Sequence, residues 1–559
     1  MSLISNLGVG MRGLAASQLA MDITGQNISN ADVEGYSRKR ITQAAAYRRD
    51  PTYGQMGMGT EIINIERVRS SFLDVQIQNQ NQEVGLWKEV DYTLESIENI
   101  FMEPTDTGIQ TFIDSFFDSW QNLSNNPSNI SAREMVKTSA EILNDVFHNL
   151  SNELSDLNRT RNDEILQRVN KVNELTKTIY DLNIEIGAVE SGMNNANDSR
   201  DKRDMVLKEL ASIIDISVIE NDVGQISVSS SGNLLVSPAY HQKLETTTSV
   251  FALPDGTSVG QIGIRVAETR NEFKPISGQI KGLIESRDVI IPKYQEKLDT
   301  LARSLVEKVN QLHTTGYNLN GYTGIEFFDS RTTGASDIQL SSSILTSVHN
   351  IAAASGGELH TATQNVLAAG GHNFGAAPQQ LFRDPTWAAP VEARNVVKGT
   401  AIVSSPDAVL TEGTDYVIDY IHGTIQMLHA GYDSVDLRVD FQYRSGGFQG
   451  PGDNTNSVAI AKLRSDMTME QDLHGNYTST FTSFYSAFIG ELGLNRNEAS
   501  ASLETRQFLI EQYESHQDAI AGVSLDEEMG NLIKYQHTYQ ASARLITTID
   551  QMLDVLLNM

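Results

Sequence analysis

Both ends of this 559-residue chain carry side chains at alternating steps of three and four residues. Such spacing places a set of side chains on one face of a helix and is typical of coiled-coil seams. The N-terminal ladder consists of Ile4, Leu7, Met11, Leu14, Gln18, Met21, Gly25 and Ile28, and the C-terminal ladder of Leu532, Tyr535, Tyr539, Ser542, Ile546, Ile549, Leu553 and Leu556. We therefore predict a long helix at each end, and we expect the two helices to be partners.

The two terminal stretches are almost free of charge. Residues 1–31 contain only Arg12 and Asp22 as charged residues, and residues 545–559 contain only Asp550 and Asp554. A surface helix normally has a charged outer face, so we expect these outer faces to be covered. Two interpretations remain open, ordinary core helices that happen to be terminal and helices that assemble with other subunits. The shared pattern favours assembly, because chain ends are usually frayed.

Composition restricts the partners and the chemistry. With 71 acidic and 42 basic residues the formal net charge is −29, which disfavours nucleic acid and anionic membranes as partners. The chain has no cysteine, so it has no disulfides, thiolate metal sites or cysteine nucleophiles. We predict no membrane-spanning segment, since no apolar run approaches 18 residues. The first residues lack the pattern of a cleaved signal peptide, so export would need another route.

Helical periodicity and strand alternation divide the chain into nested parts. Helices are predicted at about 3–30, 70–100, 109–123, 131–189 with Ser131 as N-cap, 283–312 and 484–518. Alternation predicts a β domain at 213–282 and a second, β-rich outer domain at 331–453, which includes hairpin turns at His422-Gly and Ala430-Gly. Residues 51–212, 283–330 and 454–519 would form a helical rod domain, and residues 1–50 with 520–559 a terminal helical assembly domain. The predicted fold class is a multidomain α+β chain with a long-helix coiled-coil or bundle core formed by both ends and two inserted, mainly β domains.

Sequence signatures of catalysis and of metal or cofactor binding give no support for an enzyme. The segment from Gly8 to Gly13 matches G-x-G-x-x-G, but no strand can precede it, so we interpret its glycines as small residues in a packed helix. The chain contains no H-E-x-x-H motif, no D-x-D-x-D-G calcium loop and no Walker loop. We therefore predict no catalytic residue, no cofactor and no bound metal.

Short motifs near both ends resemble those of the flagellar axial proteins. Asn27-Ile-Ser-Asn30-Ala-Asp-Val-Glu-Gly35-Tyr36-Ser37-Arg38 is similar to the N-I-S-N-A-x-T-P-G-Y-S-R signature, and its G-Y-S-R ending is most like that of the hook-associated members. Residues 523–553 resemble the closing motif of the same family, and Asp201-Lys-Arg-Asp204 and residues 282–288 resemble internal segments. Val33-Glu34 replaces the usual Thr-Pro, so the turn lacks proline's rigidity, although Gly35 still permits a positive φ. Residues 331–453 match nothing in the family.

The resemblance implies a function in flagellar assembly. Members of the family pass through the flagellar type III export apparatus without a cleaved signal, and their paired terminal helices polymerise into the inner core of a tube. The implied partners are identical subunits in a ring, the hook protein, a second junction protein of the hook-associated family, and a cytoplasmic export chaperone that binds the C-terminal helix. The implied location is the extracellular flagellum, after a transient cytoplasmic stage.

The predicted mechanism is mechanical, with the N-terminal ladder packing against the C-terminal one within and between subunits. The predicted interface contains Ile4, Leu7, Met11, Leu14, Met21, Ile28, Leu532, Tyr535, Tyr539, Ile546, Ile549, Leu553 and Leu556, and the motif residues are Asn27, Asn30, Gly35, Tyr36, Ser37 and Arg38. The alternatives are another axial protein, such as hook or distal rod protein, and a secreted adhesin or enzyme that acts through residues 331–453.

Overall fold

The fold comes from a computed structural model. It describes residues 3–50, 54–101, 108–192, 194–252, 258–355, 359–366, 379–380, 400–419, 424–428, 437–444, 451–471 and 474–557.

Long helices make up most of the described chain. In chain order they are α1 (Leu3–Ser29), α2 (Ser71–Phe101), α3 (Ile109–Asn125), α4 (Ile130–Glu190), α5 (Asn197–Ile213), α6 (Gln279–Glu285), α7 (Ile291–His313), α8 (Ser342–Thr346), α9 (Thr455–Lys462), α10 (Phe481–Ala521) and α11 (Leu525–Leu557). A π-helical turn, Ser286–Ile290, joins α6 to α7.

Short strands lie between these helices. They are β1 (Lys39–Asp50), β2 (Gly54–Arg67), β3 (Ser217–Glu220), β4 (Ile226–Ser230), β5 (Asn233–Val236), β6 (Leu244–Ala252), β7 (Ser258–Val266), β8 (Gly316–Tyr317), β9 (Ala354–Ser355), β10 (Leu359–Val366), β11 (Gln379–Gln380), β12 (Ile402–Ser404), β13 (Tyr416–Asp419), β14 (Thr424–Met427), β15 (Leu437–Arg444), β16 (Met469–Gln471) and β17 (Tyr477–Ser479). The first two form a long antiparallel hairpin with register shifts after Thr42 and after Ala45.

Helix α4 is the spine of the molecule. Its 61 residues span about 90 Å at 1.5 Å per residue. The predicted N-cap, Ser131, is wrong by two residues, because the side chain of Asn129 accepts hydrogen bonds from the backbone N–H groups of Ser131 and Ala132. A short amide reaches these N–H groups from just outside the first turn, which is the ordinary position of a cap.

The first half of α4 belongs to a core rich in aromatic residues. Helices α2, α3, α7, α9 and α10 pack there with α4, and the rings of Phe116, Trp120 and Phe327 form its centre. All three side chains are fully buried. Burial of this many large apolar side chains is the main source of stability for a domain of this size, so this helical body is the part of the chain best able to fold alone.

The second half of α4 belongs to a separate core. Its side chains Ile165, Val172 and Ile179 pack with α5, α6 and strands of the sheets β3–β4–β5 and β6–β7. The strands alternate buried and half-buried side chains along β4. A sheet with one face on a helix shows this period of two, which is the alternation that the sequence displays.

Two three-stranded antiparallel sheets, β10–β15–β12 and β11–β14–β13, lie in the second inserted region. The predicted inward faces are observed, since Tyr416, Ile418, Val439 and Phe441 are buried. The predicted turns at His422 and at Ala430 lie outside the described residues.

The start of this second region differs from the predicted boundary at 331. Ala335, Ile338, Leu340 and Ile344 are buried in the core of the helical body together with α3 and α7. Their segment has so many Gly, Ser, Thr and Ala residues that its few core side chains give no periodic signal. We therefore place the outer region after Ser355. The fold class itself, helical with paired chain ends and inserted sheets, is confirmed.

Candidate assembly interface

Helices α1 and α11 pack against each other as an antiparallel pair. A Cβ atom added at Gly10 would lie 2.8 Å from Cγ1 of Ile546, and one added at Gly13 would lie 2.8 Å from Oγ of Ser542. Such distances leave no room for larger side chains on this face of α1. Gly10 and Gly13 of the G-x-G-x-x-G stretch thus serve close helix packing, as the sequence predicts, whereas an added Cβ at Gly8 would have nothing within 4 Å.

The buried face of α1 differs from the predicted ladder. Mostly small residues are buried there, namely Gly10, Ala16, Ser17, Ala20, Ile23, Thr24 and Asn27. Most residues of the predicted ladder lie one position after a residue of this buried face. One position corresponds to a rotation of about 100° around the helix axis. Leu7, Leu14, Met21 and Ile28 are consequently half-buried, and Met11 is 59 % exposed. The side chain of Ile4 lies outside the described set.

On α11 the predicted ladder does face the partner helix. Ile549 is buried, and Leu532, Tyr535, Tyr539, Ile546 and Leu553 are half-buried, whereas the side chain of Leu556 lies outside the described set. Ser542, an imperfect seam residue by its sequence, is the small contact opposite Gly13. Gln18 and Gly25 are the other two ladder positions without a large apolar side chain. Gln18 is exposed, and a Cβ added at Gly25 would have nothing within 4 Å.

A second apolar face on α11 was missed by the sequence reasoning. Its members are exposed in the isolated chain and are Met529, Ile533, Leu545, Met552 and Val555. The steps from 545 to 552 and then 555 are a helical period that could have revealed it. Together with Met11, these side chains leave the terminal pair with large apolar groups that no described part of the subunit covers.

The β1–β2 hairpin lies along the N-terminal half of α1. Gly59 has φ +91°, and a Cβ added there would lie 3.3 Å from Cα and Cγ1 of Val9. Glycine is therefore required both by its backbone conformation and by the close approach. The hairpin thus supports α1 beside its contact with α11.

Asn27 of the family motif connects the terminal helices. Its buried amide Nδ2 donates to the carbonyl oxygen of Lys39 at 2.9 Å and to Oε2 of Glu528 at 3.1 Å. Its Oδ1 accepts from the backbone N–H of Lys39 and from the hydroxyl of Tyr36. One side chain therefore ties the end of α1 to the hairpin and to the first turn of α11.

The Ser37–Arg38 pair joins the same region to the helical body and to α11. Ser37 Oγ donates to Oδ1 of Asp201 at 2.7 Å, and Arg38 Nη2 lies 2.8 Å from Oε1 of Glu528. Arg67 completes the connection with Nη1 at 2.7 Å from Asp201 and 2.8 Å from Asp204. These charge-assisted bonds are the stronger class of hydrogen bond. We call residues 27–39, 198–204 and 521–528 the neck.

Gly35 and Tyr36 shape the neck turn. Gly35 has φ +78°, and an added Cβ would collide with Sδ of Met205, so the turn requires glycine at this position. Burial, with Asp198 and Asp201 nearby, raises the pKa of Tyr36 to about 12. Tyr36 is therefore neutral at physiological pH and can donate its hydroxyl to Asn27. Asn30 is the remaining residue of the motif, and its side-chain amide donates to the carbonyl oxygen of Gln26 at the end of α1.

The neck also borders a polar cavity. Its volume is about 870 Å³, and among its lining residues are Arg69, Asp74, Asp204 and Gln517. Because charged and amide groups line it, the terminal pair is joined to the helical body by polar contacts rather than through a shared apolar core.

Among the residues that the structure describes, no cluster of three or more His, Asp or Glu side chains could hold a metal ion. In the same part of the chain, no helix is long and apolar enough to span a bilayer.

Three sequence profiles of flagellar proteins match the chain. The helical domain of flagellar hook-associated protein FlgK matches residues 94–328, the flagella basal body rod protein profile residues 7–36, and the C-terminal profile of the basal body rod FlgEFG proteins residues 518–559.

Curated relatives match the chain from end to end. Flagellar hook-associated protein 1 of Bacillus subtilis (strain 168) is 26 % identical over 100 % of this chain and 98 % of its own length. The protein of the same name from Salmonella typhimurium is 26 % identical over 98 % of both chains. A solved structure, the flagellar hook junction protein FlgK from Burkholderia pseudomallei, aligns with a TM-score of 0.56 at 17 % identity, covering 80 % of this chain and 100 % of its own. That structure supports the fold.

Proposed function

The chain belongs to the flagellar hook-associated protein 1 family, and from this premise we propose that it is a structural adapter of the bacterial flagellum. It polymerises at the distal end of the hook and forms the hook–filament junction through packing of its terminal helices. Its work is mechanical, and it performs no catalysis and uses no cofactor.

The observation that carries this proposal is the outward placement of large apolar side chains on the terminal pair. Within the subunit, α1 offers α11 small residues, while Met11, Leu545 and Val555 remain exposed. A contiguous exposed apolar surface on a soluble protein marks an interaction site or an aggregation hazard. Packing between identical neighbours in a ring covers this surface. The half-buried positions Leu7, Leu14, Met21 and Ile28 contribute from α1.

Partners and route follow from the same premise. The proposed partners are further copies of this chain, the hook protein, a second junction protein of the hook-associated family, and a cytoplasmic chaperone that covers α11 before export. The flagellar type III apparatus carries the subunit out of the cell, so the cytoplasmic stage is transient. Neither nucleic acid nor membrane insertion takes part. The net charge of −29 supports the exclusion of nucleic acid.

We further propose the division of labour among domains. The terminal helices assemble, the helical body with its first β insertion transmits load, and the outer sheets after Ser355 face solvent. The neck contacts from Ser37 and Arg67 to Asp201 connect the terminal pair to the body.

A charge placed on the outward face tests the assembly surface. Leu545→Asp should abolish filament attachment and motility, because a carboxylate cannot be buried unpaired between subunits. The matched control is Leu345→Asp on α8, where the leucine is 50 % exposed against 43 % for Leu545. Both variants should be exported in normal amounts, measured in the culture supernatant. Normal filaments on cells that carry Leu545→Asp would refute the proposal.

Removal of the outer sheets tests the division of labour. The ends of this region lie close together, since the backbone N–H of Ser355 donates to Oδ2 of Asp453 at 2.9 Å. Residues 356–450 can therefore be replaced by a short Gly/Ser linker without opening the body. Filaments should still attach to the truncated protein. If attachment fails while the protein is folded and exported, the outer sheets belong to the adapter.

A further inference from the structure

Among the side chains that the structure describes, three methionines are exposed on the terminal pair. Met11 is 59 % exposed, Met529 is 56 % exposed and Met552 is 52 % exposed. Met552 shares its face of α11 with Val555. Met11 follows Gly10, where an added Cβ would lie 3.7 Å from Cδ2 of Leu545. These thioethers therefore belong to the surface on which the proposed assembly depends.

Sulfur chemistry in this chain is confined to methionine, because the sequence has 15 methionines and no cysteine. Accessible thioethers are oxidised by peroxides, whereas buried ones are shielded. The exposed thioethers of the terminal pair are thus the accessible sulfur atoms nearest to the assembly surface.

We propose that Met11, Met529 and Met552 form an oxidation-sensitive set, and that their conversion to methionine sulfoxide by a peroxide blocks assembly of the free subunit reversibly. This inference rests on the proposed function, because it requires these side chains to be buried between subunits.

The oxidation step is a two-electron oxygen transfer. A lone pair on the methionine sulfur attacks one oxygen of hydrogen peroxide, the O–O bond breaks, and a proton moves to the leaving oxygen. The products are one sulfoxide and one water molecule, so sulfur is oxidised and peroxide is reduced. Methionine sulfoxide reductases, one for each sulfoxide epimer, reverse the change. A dithiol supplies two electrons and two protons, the sulfoxide oxygen leaves as water, and the dithiol becomes a disulfide.

The physical effect on assembly is a polarity change within an apolar contact. A sulfoxide carries a strong hydrogen-bond acceptor, and burying a polar group without a partner is unfavourable. The sulfoxide oxygen needs a hydrogen-bond donor, and residues 545–559 contain no Lys, Arg or His to supply a charged one. An oxidised free subunit should therefore fail to pack into the ring interface.

Assembly should in turn protect the same residues. Once neighbours cover them, peroxide reaches the three sulfur atoms only when a subunit dissociates. The helical body offers matched controls in Met135, which is 54 % exposed, and Met467, which is 63 % exposed. Those two sulfur atoms should react at the same rate in free and assembled protein.

The test uses full-length protein and hooks isolated from cells that lack it. Protein treated with hydrogen peroxide is mixed with these hooks, and the fraction of capped hook ends is counted by electron microscopy. Mass spectrometry gives the oxidation of each methionine. Oxidised wild-type protein should bind about tenfold more weakly than untreated protein, and treatment with both sulfoxide reductases should restore binding.

Two variants isolate the responsible residues. A triple variant, Met11→Leu, Met529→Leu and Met552→Leu, should bind hooks within about twofold of wild type before and after peroxide, because leucine keeps the volume without the sulfur. A double variant, Met135→Leu and Met467→Leu, should remain as sensitive as wild type. Peroxide sensitivity of the triple variant equal to that of wild type would overturn the inference.

Rates of oxidation give an independent measurement that needs no variant. In capped hooks, Met11, Met529 and Met552 should oxidise at least about tenfold more slowly than in free protein, while Met135 and Met467 should not change. Equal rates in both states would overturn the inference as well. Failure of untreated protein to bind hooks would instead contradict the proposed function, so the two failures are distinguishable.

Discussion

The terminal pair and the helical body bury their side chains in opposite ways. The body buries its largest groups, and Phe116, Trp120 and Leu143 are fully inaccessible. Helix α1 buries mainly small side chains, while the exposed apolar residues of the pair include Met552 and Val555. Because apolar burial drives folding in proportion to area, the body satisfies this requirement within a single subunit, whereas the terminal pair leaves large apolar side chains exposed in the isolated chain. The same chain thus contains a domain that buries its apolar side chains by itself and a terminal pair with exposed apolar side chains.

Two glycines of α1 explain why α1 and α11 pack so closely. Gly10 and Gly13 let α11 approach α1 closely, so small residues of α1 rather than large apolar side chains make this contact. Such a contact sets the distance between the two helices but adds little to the free energy of unfolding. We expect the stability of the pair to come from the neck hydrogen bonds and from contacts with neighbouring subunits.

Hydrogen exchange of the purified monomer measures this difference directly. Amides of residues 1 to ~50 and ~520 to 559 should exchange with opening free energies near zero, while amides in α3, α4 and α7 should approach the global value, on the order of 5–15 kcal/mol. Protection of the terminal amides in a true monomer, verified by sedimentation, would contradict folding coupled to assembly.

Substitution of Phe116 should affect the body most. Its ring lies 5.3 Å from Phe117 and 5.9 Å from Phe328, measured between centroids, and it is fully buried. Phe116→Ala should lower the free energy of unfolding by about 3–5 kcal/mol, measured by urea titration of the monomer. Phe72→Ala is the control, because that ring is 68 % exposed, and it should cost less than about 0.5 kcal/mol. Similar losses for both variants would show that the aromatic core is not the source of stability.

Prediction from the sequence succeeds where one pattern dominates. The first helix was expected at 3–30 and is observed at Leu3–Ser29, and the alternation that predicts strands around Tyr416 and Val439 is also found. The face of α1 is different, because a ladder of small residues and a ladder of large ones coexist one position apart. Hydrophobic periodicity in the sequence is dominated by the large side chains. In the structure, close packing against α11 and the hairpin requires the small ones.

The neck lies beyond the reach of any local pattern. Asn27 and Glu528 are separated by 501 positions in the chain, and Ser37 and Asp201 by 164. No period connects residues at such separations. The resemblance to axial proteins did single out Asn27, Ser37, Arg38 and Asp201, but it gave no contacts for them. The contacts depend on how the whole chain is nested.

Acid should weaken the body through His313. This side chain is fully buried, its Nδ1 lies 2.7 Å from the carbonyl oxygen of Ile325, and its Nε2 accepts from the N–H of Ala352 at 2.8 Å. Burial, and to a lesser extent the charge of Arg133, lowers its pKa from 6.5 to about 4. A proton on Nε2 would face the N–H group of Ala352, donor against donor.

The sign of the pH effect follows from this lowered pKa. Below pH 6.5 the unfolded chain binds a proton that the folded chain refuses, so stability falls between pH 6.5 and pH 4 by up to about 3 kcal/mol. His313→Gln should remove this contribution to the pH dependence of urea unfolding. His349→Gln is the control, since that ring is exposed. An unchanged slope in His313→Gln would show that other groups cause the acid sensitivity.

Glu528 should have the smallest of these effects, because it acts at the connection between the two regions. Its side chain is 3 % exposed and holds both Arg38 and Asn27, whereas the neighbouring Glu527 is 64 % exposed and pairs with Arg38 alone. Glu528→Gln removes a buried charge-assisted bond and should weaken capping of isolated hooks about tenfold, equivalent to about 1.4 kcal/mol. Glu527→Gln removes a solvent-screened pair and should change capping less than about twofold. Equal effects of the two variants would mean that the neck contributes through surface charge, and the buried Asn27–Glu528 contact would lose its role in joining α1 to α11.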